Sequence, residues 1–513
     1  MRFFVVWILL LHTCGSFAFG ATTRSFCENV FGPVDCAGTM GNGRLTIALS
    51  NTGRIRSVHW PSPGYFDQLS YDVRHDDTGG VYVPENHGLR WAVRTTETVF
   101  RNHDDYFVHP ERDILVVSLV PQAAQEGSTI YWCANFTPCT RLIPEIPLGD
   151  SLFDYANDFA VFTPDNGRTI VHFRPQGLRV SDWDKARALV RQEAALAEWE
   201  NFDEGVWIAQ GASKPPTGFQ CGVSRDASSA FAQAKKGRLA GETAAVGDCD
   251  SAFQFSWSGS GNAASPLAVY IAFGKTYSQS IENLQYARGK GYVALLRETQ
   301  AALKTRAASL EAATKPQQEL LEVILTCMDR ETGALVCMPL AQPPMHIDIP
   351  RKGVMGAYAL GVAGRHNLVR KRIDFYLNAL REEGTPGRPA GSIPAGLYAN
   401  GAEALPHVIL DAEAVAWVLW LCAKHAEQLP SDARATFAKE VASKIEAAAD
   451  FLETWADPRT GLPRTAFNPD KLRDAPSPEL AIHTYMGLQS ALALAALSGQ
   501  ERPDWRKRAQ ELQ

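Results

Sequence analysis

Positive charge is the first thing this 513-residue chain has little of. Fifty Lys+Arg stand against 56 Asp+Glu, a formal net charge of −6. A surface that binds phosphate backbones carries the reverse balance, so no nucleic-acid partner is expected. Long apolar runs are scarce too. Past the first twenty residues no stretch reaches the roughly eighteen uncharged apolar residues of a bilayer crossing, so no membrane span is expected. The ten cysteines are scattered: no pair has the two-to-four-residue gap of a zinc knuckle, and no histidine pair accompanies them. Neither a metal nor any other cofactor is implied.

What is present begins with a leader. Met1-Arg2 supplies a positive start, Phe3 to Leu11 an apolar run, and Ala18-Phe19-Gly20 a small-x-small cleavage site. Residues 1–20 therefore read as a secretory signal, and the mature protein is expected to be secreted or periplasmic. A lipoprotein anchor at Cys14 is the rival, and His12-Thr13 before it fits that poorly. In an exported chain the remaining nine cysteines suggest short-loop disulfides: Cys27/Cys36, Cys133/Cys139, Cys221/Cys249 and Cys327/Cys337, with Cys422 left as a buried thiol. The 12 Trp, 14 Tyr and 24 Phe suit either stacking on sugar rings or a large core.

Two kinds of periodicity divide the chain. Alternating apolar runs at Arg44–Leu49, Arg54–Trp60, Asp113–Val120, Thr129–Trp132, Phe159–Phe162, Thr169–Phe173, Val206–Ala209, Phe253–Trp257 and Leu267–Phe273 predict an antiparallel β-sandwich over 21–274. Val180–Glu200 reads as a helical excursion within it. A helical linker follows over 275–315. From 316 to 513 the apolar residues recur at three and four, predicting helices at Gln317–Cys327, Gly353–Ala363, Leu368–Arg381, Ala412–Gln428, Ala433–Trp455 and Pro478–Leu497. The last of these is apolar nearly all round and is expected at the centre. The fold class is thus multi-domain β plus α.

Several segments resemble bacterial glucoamylase-like proteins of glycoside hydrolase family fifteen. They are Gly41-Asn42-Gly43-Arg44-Leu45 with Trp60-Pro61, Asp329-Arg330-Glu331-Thr332-Gly333, Pro350-Arg351-Lys352-Gly353, Leu410-Asp411-Ala412-Glu413, Asp457-Pro458 with Gly461-Leu462-Pro463, and Thr484-Tyr485-Met486-Gly487-Leu488. Their order over residues 40–505 carries the resemblance. It implies a β-sandwich followed by an (α/α)6 toroid that cuts α-glucosidic bonds from the non-reducing end with inversion. The implied partner is an oligo- or polysaccharide.

Inversion needs two carboxyl groups about 6.5–9.5 Å apart, one protonating the leaving oxygen and one activating water. The resemblance places the family's acid at Lys471, a poor donor, so Asp470 and Asp474 beside it are the candidate catalytic residues. Glu479 reads as a helix-start carboxylate. Arg351 matches a sugar-holding arginine, while Lys352 replaces the family's aspartate there. Asp348 and His346 could reach the same space. Asp411 and Glu413 either contact sugar or cap a helix, and Tyr398 and Phe467 are candidate walls. The family's base lies in a further set of helices, so the toroid is expected to be incomplete. Three readings stay open: an inverting hydrolase, alone or completed by a second polypeptide; a saccharide-binding relative without turnover; and a glycoside phosphorylase.

Overall fold

The computed structural model describes residues 38–49, 55–60, 80–81, 100–101, 104–119, 129–135, 158–164, 167–174, 206–223, 226–247, 249–256, 266–308, 314–335, 347–385, 388–403, 411–464 and 478–513. They form two compact units, one ending near Ala302 and one beginning at Leu303, the second also holding Asn42–Arg44.

The first unit is built on three sheets. The smallest joins β1 (Gly38–Gly41), β2 (Thr46–Leu49) and β3 (Ile55–His59). The largest runs β13 (Ala244–Gly247), β9 (Asp158–Thr163), β10 (Thr169–Arg174), β11 (Val206–Ala212), β15 (Leu267–Gly274), β7 (Ile114–Leu119), β6 (Asp104–Val108), β5 (Phe100–Arg101). The third runs β12 (Gly218–Val223), β14 (Cys249–Ser256), β8 (Thr129–Asn135), β4 (Gly80–Val81). Every pairing is antiparallel except the short β4–β8 contact.

Strand periodicity explains why both faces of the large sheet are covered. Val117 lies opposite Val269 and Leu115 opposite Ile271; these side chains share a core with Trp132 and Phe253 of the four-stranded sheet. The alternate pair, Val116 and Tyr270, faces the other way with Trp207 and Val171. That outer face is covered by helix α2 (Tyr277–Ala308) through Ile281, Leu284, Ala287, Tyr292 and Leu295. A short helix α1 (Ala230–Lys235) covers the outside of the four-stranded sheet over Tyr131, Cys133 and Ala252. The segment expected as a linker is thus largely a layer of the sandwich.

One polar chain crosses the sandwich interior. Trp132 Nε1 donates to Gln210 Oε1 at 2.9 Å, Gln210 Nε2 donates to the Ser251 hydroxyl at 2.9 Å, and that hydroxyl meets His172 Nε2 at 2.8 Å. Burial keeps His172 neutral, its pKa lowered to about 3. Helix α2 breaks at Gly291, whose φ of 73° a glycine adopts freely. Its two arms are clasped by Glu298, which accepts from Lys290 Nζ at 2.7 Å and from Tyr286 Oη at 3.0 Å.

The expected Cys221/Cys249 bridge is not formed. Strand register sets Cys221 opposite Ser251 and Cys249 opposite Val223, and both sulfurs are buried thiols with no bond between them. Neighbouring strands with the two residues staggered do not offer the side-by-side Cβ geometry a disulfide needs. Cys133 and Cys327 are likewise buried thiols, against the expected bridges to Cys139 and Cys337, and Cys422 is the buried thiol expected. Cys27, Cys36, Cys139 and Cys337 lie outside the described residues, as do Val180–Glu200 and the leader.

The second unit is helical: α3 (Lys315–Cys327), α4 (Pro350–Val362), α5 (His366–Asn378), α6 (Ala412–Gln428), α7 (Ser431–Thr454), α8 (Pro478–Ser498) and α9 (Pro503–Glu511). Helices α4, α6 and α8 lie side by side, while α5, α7 and α9 pack against them in turn, the arrangement of a toroid of helix pairs. The close approach of α8 to α6 depends on Gly487, where an added Cβ would come within 2.8 Å of the Ala416 backbone. Helix α8 is long and apolar enough to cross a membrane by composition. It instead buries Leu480, Thr484, Leu488, Ala491 and Leu494 in the helical core. It is not enclosed all round: Ile482 stands 68% exposed and Leu497 38%.

The unit carries the same turn twice. After α3, Asp329 Oδ1 accepts from Glu331 N at 2.8 Å and Thr332 N at 2.7 Å, and Gly333 follows at φ 86°. After α7, Asp457 Oδ1 accepts from Arg459 N and Thr460 N, both at 2.9 Å, and Gly461 follows at φ 68°. In each case an arginine from the second helix downstream donates to the glycine carbonyl: Arg372 of α5 to Gly333 O at 2.7 Å, Arg508 of α9 to Gly461 O at 2.5 Å. The repetition pairs α3–α4–α5 with α7–α8–α9 and fixes which helices are outer.

Candidate functional site

Helices α4, α6 and α8 begin at a common end of the helical unit, and their first turns bring the polar residues together. Pro350 opens α4 with its φ preset for a helix, and Arg351 follows. Asp411 is the N-cap of α6, accepting from Ala414 N at 3.2 Å. Glu413 sits in the first turn of the same helix. Arg351 reaches both carboxylates: Nε lies 3.7 Å from Asp411 Oδ2 and Nη1 lies 3.4 Å from Glu413 Oε2. The other Glu413 oxygen accepts from Trp417 Nε1 at 3.1 Å and lies 3.7 Å from His483 Nδ1 of α8.

Helical spacing turns this cluster into a wall. Glu413, Trp417 and Trp420 recur at i, i+4 and i+7, one face of α6. Trp417 meets the His483 ring at 5.5 Å between centroids and Trp420 at 5.4 Å; Trp420 meets Tyr358 of α4 at 5.0 Å. A band of four rings thus crosses three helices, each ring only partly buried. The charged groups beside it are also reachable, with Arg351 34% and Glu413 27% exposed. Asp411 is more enclosed, at 11%. Burial pushes its carboxyl above the usual range; Arg351 opposes this and the Glu413 charge adds to it.

Of the residues read from the sequence, Arg351, Asp411 and Glu413 are together. Asp348 is elsewhere. Its side chain is fully buried, paired with Arg372, accepting from Tyr376 Oη at 2.9 Å and Leu335 N at 2.6 Å. It precedes α4 in extended backbone, and its side chain is held by Arg372, Tyr376 and Leu335. Gly353 is required at this point because an added Cβ would collide with Arg372 and Tyr376. Tyr398, 8% exposed, sits in a turn closed by Gly401 N donating to its carbonyl at 2.9 Å. The strand-like bridge between Asp348 and Leu397, 2.8 Å in both directions, joins the segments before α4 and α6 as expected of neighbouring helix pairs. Asp470, Asp474, Lys471, Phe467 and His346 lie outside the described residues. Trp417 and His483 were not singled out in the sequence. The four-residue step from Glu413 to Trp417 was the available signal; nothing local marked His483.

No family model matches this sequence, and no curated protein does. Among solved structures the chain superposes on a bacterial glucoamylase complexed with acarbose, with TM-score 0.63 and 12% identity, covering 93% of this chain and 65% of that one. It also aligns with a family GH92 α-mannosidase from Bacteroides thetaiotaomicron, at TM-score 0.47 and 11% identity, covering 92% and 62%. The chain spans less than two thirds of the length of either structure. The second superposition is too loose to argue from. The first shows the architecture: this chain has the β-sandwich and helical toroid of the glucoamylase fold.

Proposed function

We propose that the chain is a carbohydrate-active protein of glucoamylase type, exported by its leader, and that an α-linked saccharide lies along the band Tyr358–Trp420–Trp417–His483. The observation that carries this is the juxtaposition of the ring band with Arg351, Asp411 and Glu413 at the shared end of α4, α6 and α8. Pyranose rings have apolar faces that aromatic rings cover, and hydroxyls that carboxylates and a guanidinium bind directionally. The reaction we read is inverting hydrolysis from the non-reducing end, with Asp470 or Asp474 as the acid. Within this cluster, burial inclines the Asp411 carboxyl to keep its proton.

A second reading is binding without turnover. Its support is that Arg351 engages both carboxylates of the cluster, an arrangement suited to holding hydroxyls rather than to releasing a proton. Calorimetry of the mature chain with malto-oligosaccharides, run beside a glucose-release assay, separates the two. Binding should weaken by about 1–3 kcal/mol in Trp417→Ala, which removes both an aromatic wall and the Glu413 donor. Turnover abolished by Asp470→Asn or Asp474→Asn with binding retained identifies the hydrolase. Binding with no turnover in the parent chain identifies the second reading. Affinity unchanged in Trp417→Ala refutes the site.

A further inference from the structure

At the opposite end of α6 a groove of about 480 Å³ opens between α5, α6 and α7, lined by His366, Arg370, His425, Asp432, Thr436 and Glu440 among others. His425, in the last turn of α6, is 3% exposed, and His366 is the first residue of α5. Their rings are 6.0 Å apart between centroids and inclined at 50°. The Nδ1 of each is buried with no hydrogen-bond partner. Two adjacent buried imidazole nitrogens left in this state are an anomaly, because buried polar groups are ordinarily satisfied by protein, water or an ion.

The charges around the groove say what kind of ligand suits it. Arg370 is held by Asp374 at 2.8 Å and Glu440 at 2.5 Å, and Asp432 occupies the first turn of α7. Two carboxylates, Asp432 and Glu440, line the groove, and the one guanidinium there is already paired by Glu440 and Asp374, which favours a cation over an anion. Two imidazoles with carboxylates at the rim are donors for borderline divalent metals, not for calcium or magnesium. No group of three or more ligating side chains stands assembled among the described residues. The ring separation is near the limit for two imidazoles sharing one cation about 2.0–2.1 Å from each.

We propose that His366 and His425 form a two-imidazole anchor for one divalent cation of the zinc, nickel or copper type, tying α5 to α6, with water filling the remaining positions. The proposal is independent of the saccharide reading. The test is calorimetric titration of tag-free, chelator-stripped full chain with Ni2+ at neutral pH, followed by thermal melting. One saturable event per chain and a higher melting temperature are expected. Affinity should fall at least about tenfold in His366→Ala, since even changes around metal ligands cost that much. His425→Gln should do the same, with circular dichroism checking that it folds. Trp417→Ala, at the far end of α6, should leave Ni2+ binding unchanged. No saturable event, an unchanged affinity in His366→Ala, or equal affinity for Mg2+ would overturn the anchor.

Discussion

The turns around Asp329 and Asp457 share their residues, their hydrogen bonds and their positive-φ glycine, yet their carboxyls are driven in opposite directions. Burial is the largest influence on Asp329 and raises its pKa, although Thr332 N, Glu331 N and Arg44 all pull it down. Asp457 is lowered, first by the Thr460 N–H and then by Arg459 N–H and the Thr460 hydroxyl. Its side chain is only 8% exposed, but the turn's own donors dominate its surroundings. The difference lies in what covers the turn. The first is overlaid by the Asn42–Arg44 segment, with Arg330 N donating to Gly43 O at 2.6 Å and the Arg44 guanidinium, itself 5% exposed, beside Asp329 and Glu331. Local sequence dictates the turn's shape; tertiary surroundings decide the energetics of its one charged group.

The comparison breaks most visibly at the arginines that close each turn. Arg508 donates to Gly461 O and pairs with Glu511 at a half-open surface. Arg372 donates to Gly333 O and also forms a fully buried pair with Asp348. Removing one member of a buried pair leaves the other charge uncompensated, so Arg372→Ala should cost about 3–5 kcal/mol of unfolding free energy. Arg508→Ala should cost about 1 kcal/mol, the value of an ordinary hydrogen bond. Urea denaturation of the two variants measures both. Equal losses would show that Asp348 finds another partner when Arg372 is gone.

A smaller effect is expected from the aspartates themselves. Each accepts two backbone N–H groups and a hydroxyl, as an N-cap does, so Asp329→Ala and Asp457→Ala should each cost about 0.5–2 kcal/mol. The Asp329 loss should be the smaller at neutral pH, because deleting that carboxylate also relieves a buried charge. A larger loss at Asp329 would mean that Arg44 compensates the charge fully.

These turns were also the most legible part of the sequence. Asp-x-x-Thr-Gly is a complete set of instructions for the turn, and the helices flanking it followed from three-four periodicity to within a few residues. The strands at Asp104–Val108, Gly218–Val223 and Ala244–Gly247 were missed. Ala244–Gly247 is short and built of small residues around one valine; in Gly218–Val223 the residues Phe219, Cys221 and Val223 do alternate towards the core, but two glycines and a glutamine between them weaken the strand signal. Arg351, Asp411 and Glu413 were legible as a group because each stands at a helix start. Asp348 was not, since its role is set by Arg372, twenty-four residues away in sequence. His483 belongs to the site only because α8 packs beside α6, and no local pattern encodes that neighbour.

The smallest predicted effect is the sharpest, because it changes sign with the turn. Asn keeps the accepting oxygen of Asp but cannot ionise. Asp457 has a depressed pKa in the fold, so its contribution to stability is present above the unfolded value near 3.8 and is lost as pH falls through the folded one. Asp457→Asn should therefore be less stable than the parent at pH 7, and the gap should close in acid. Asp329 has a raised pKa, so its ionisable contribution is present below the unfolded value and is lost as pH rises through the folded one. Asp329→Asn should match or exceed the parent at pH 7, with the parent gaining ground as pH falls. Urea midpoints of both variants and the parent between pH 3 and 7 give the two slopes. Parallel pH profiles for the two variants would show that the Asn42–Arg44 segment does not bury Asp329 in solution, and the opposite directions argued for the two carboxyls would fall together.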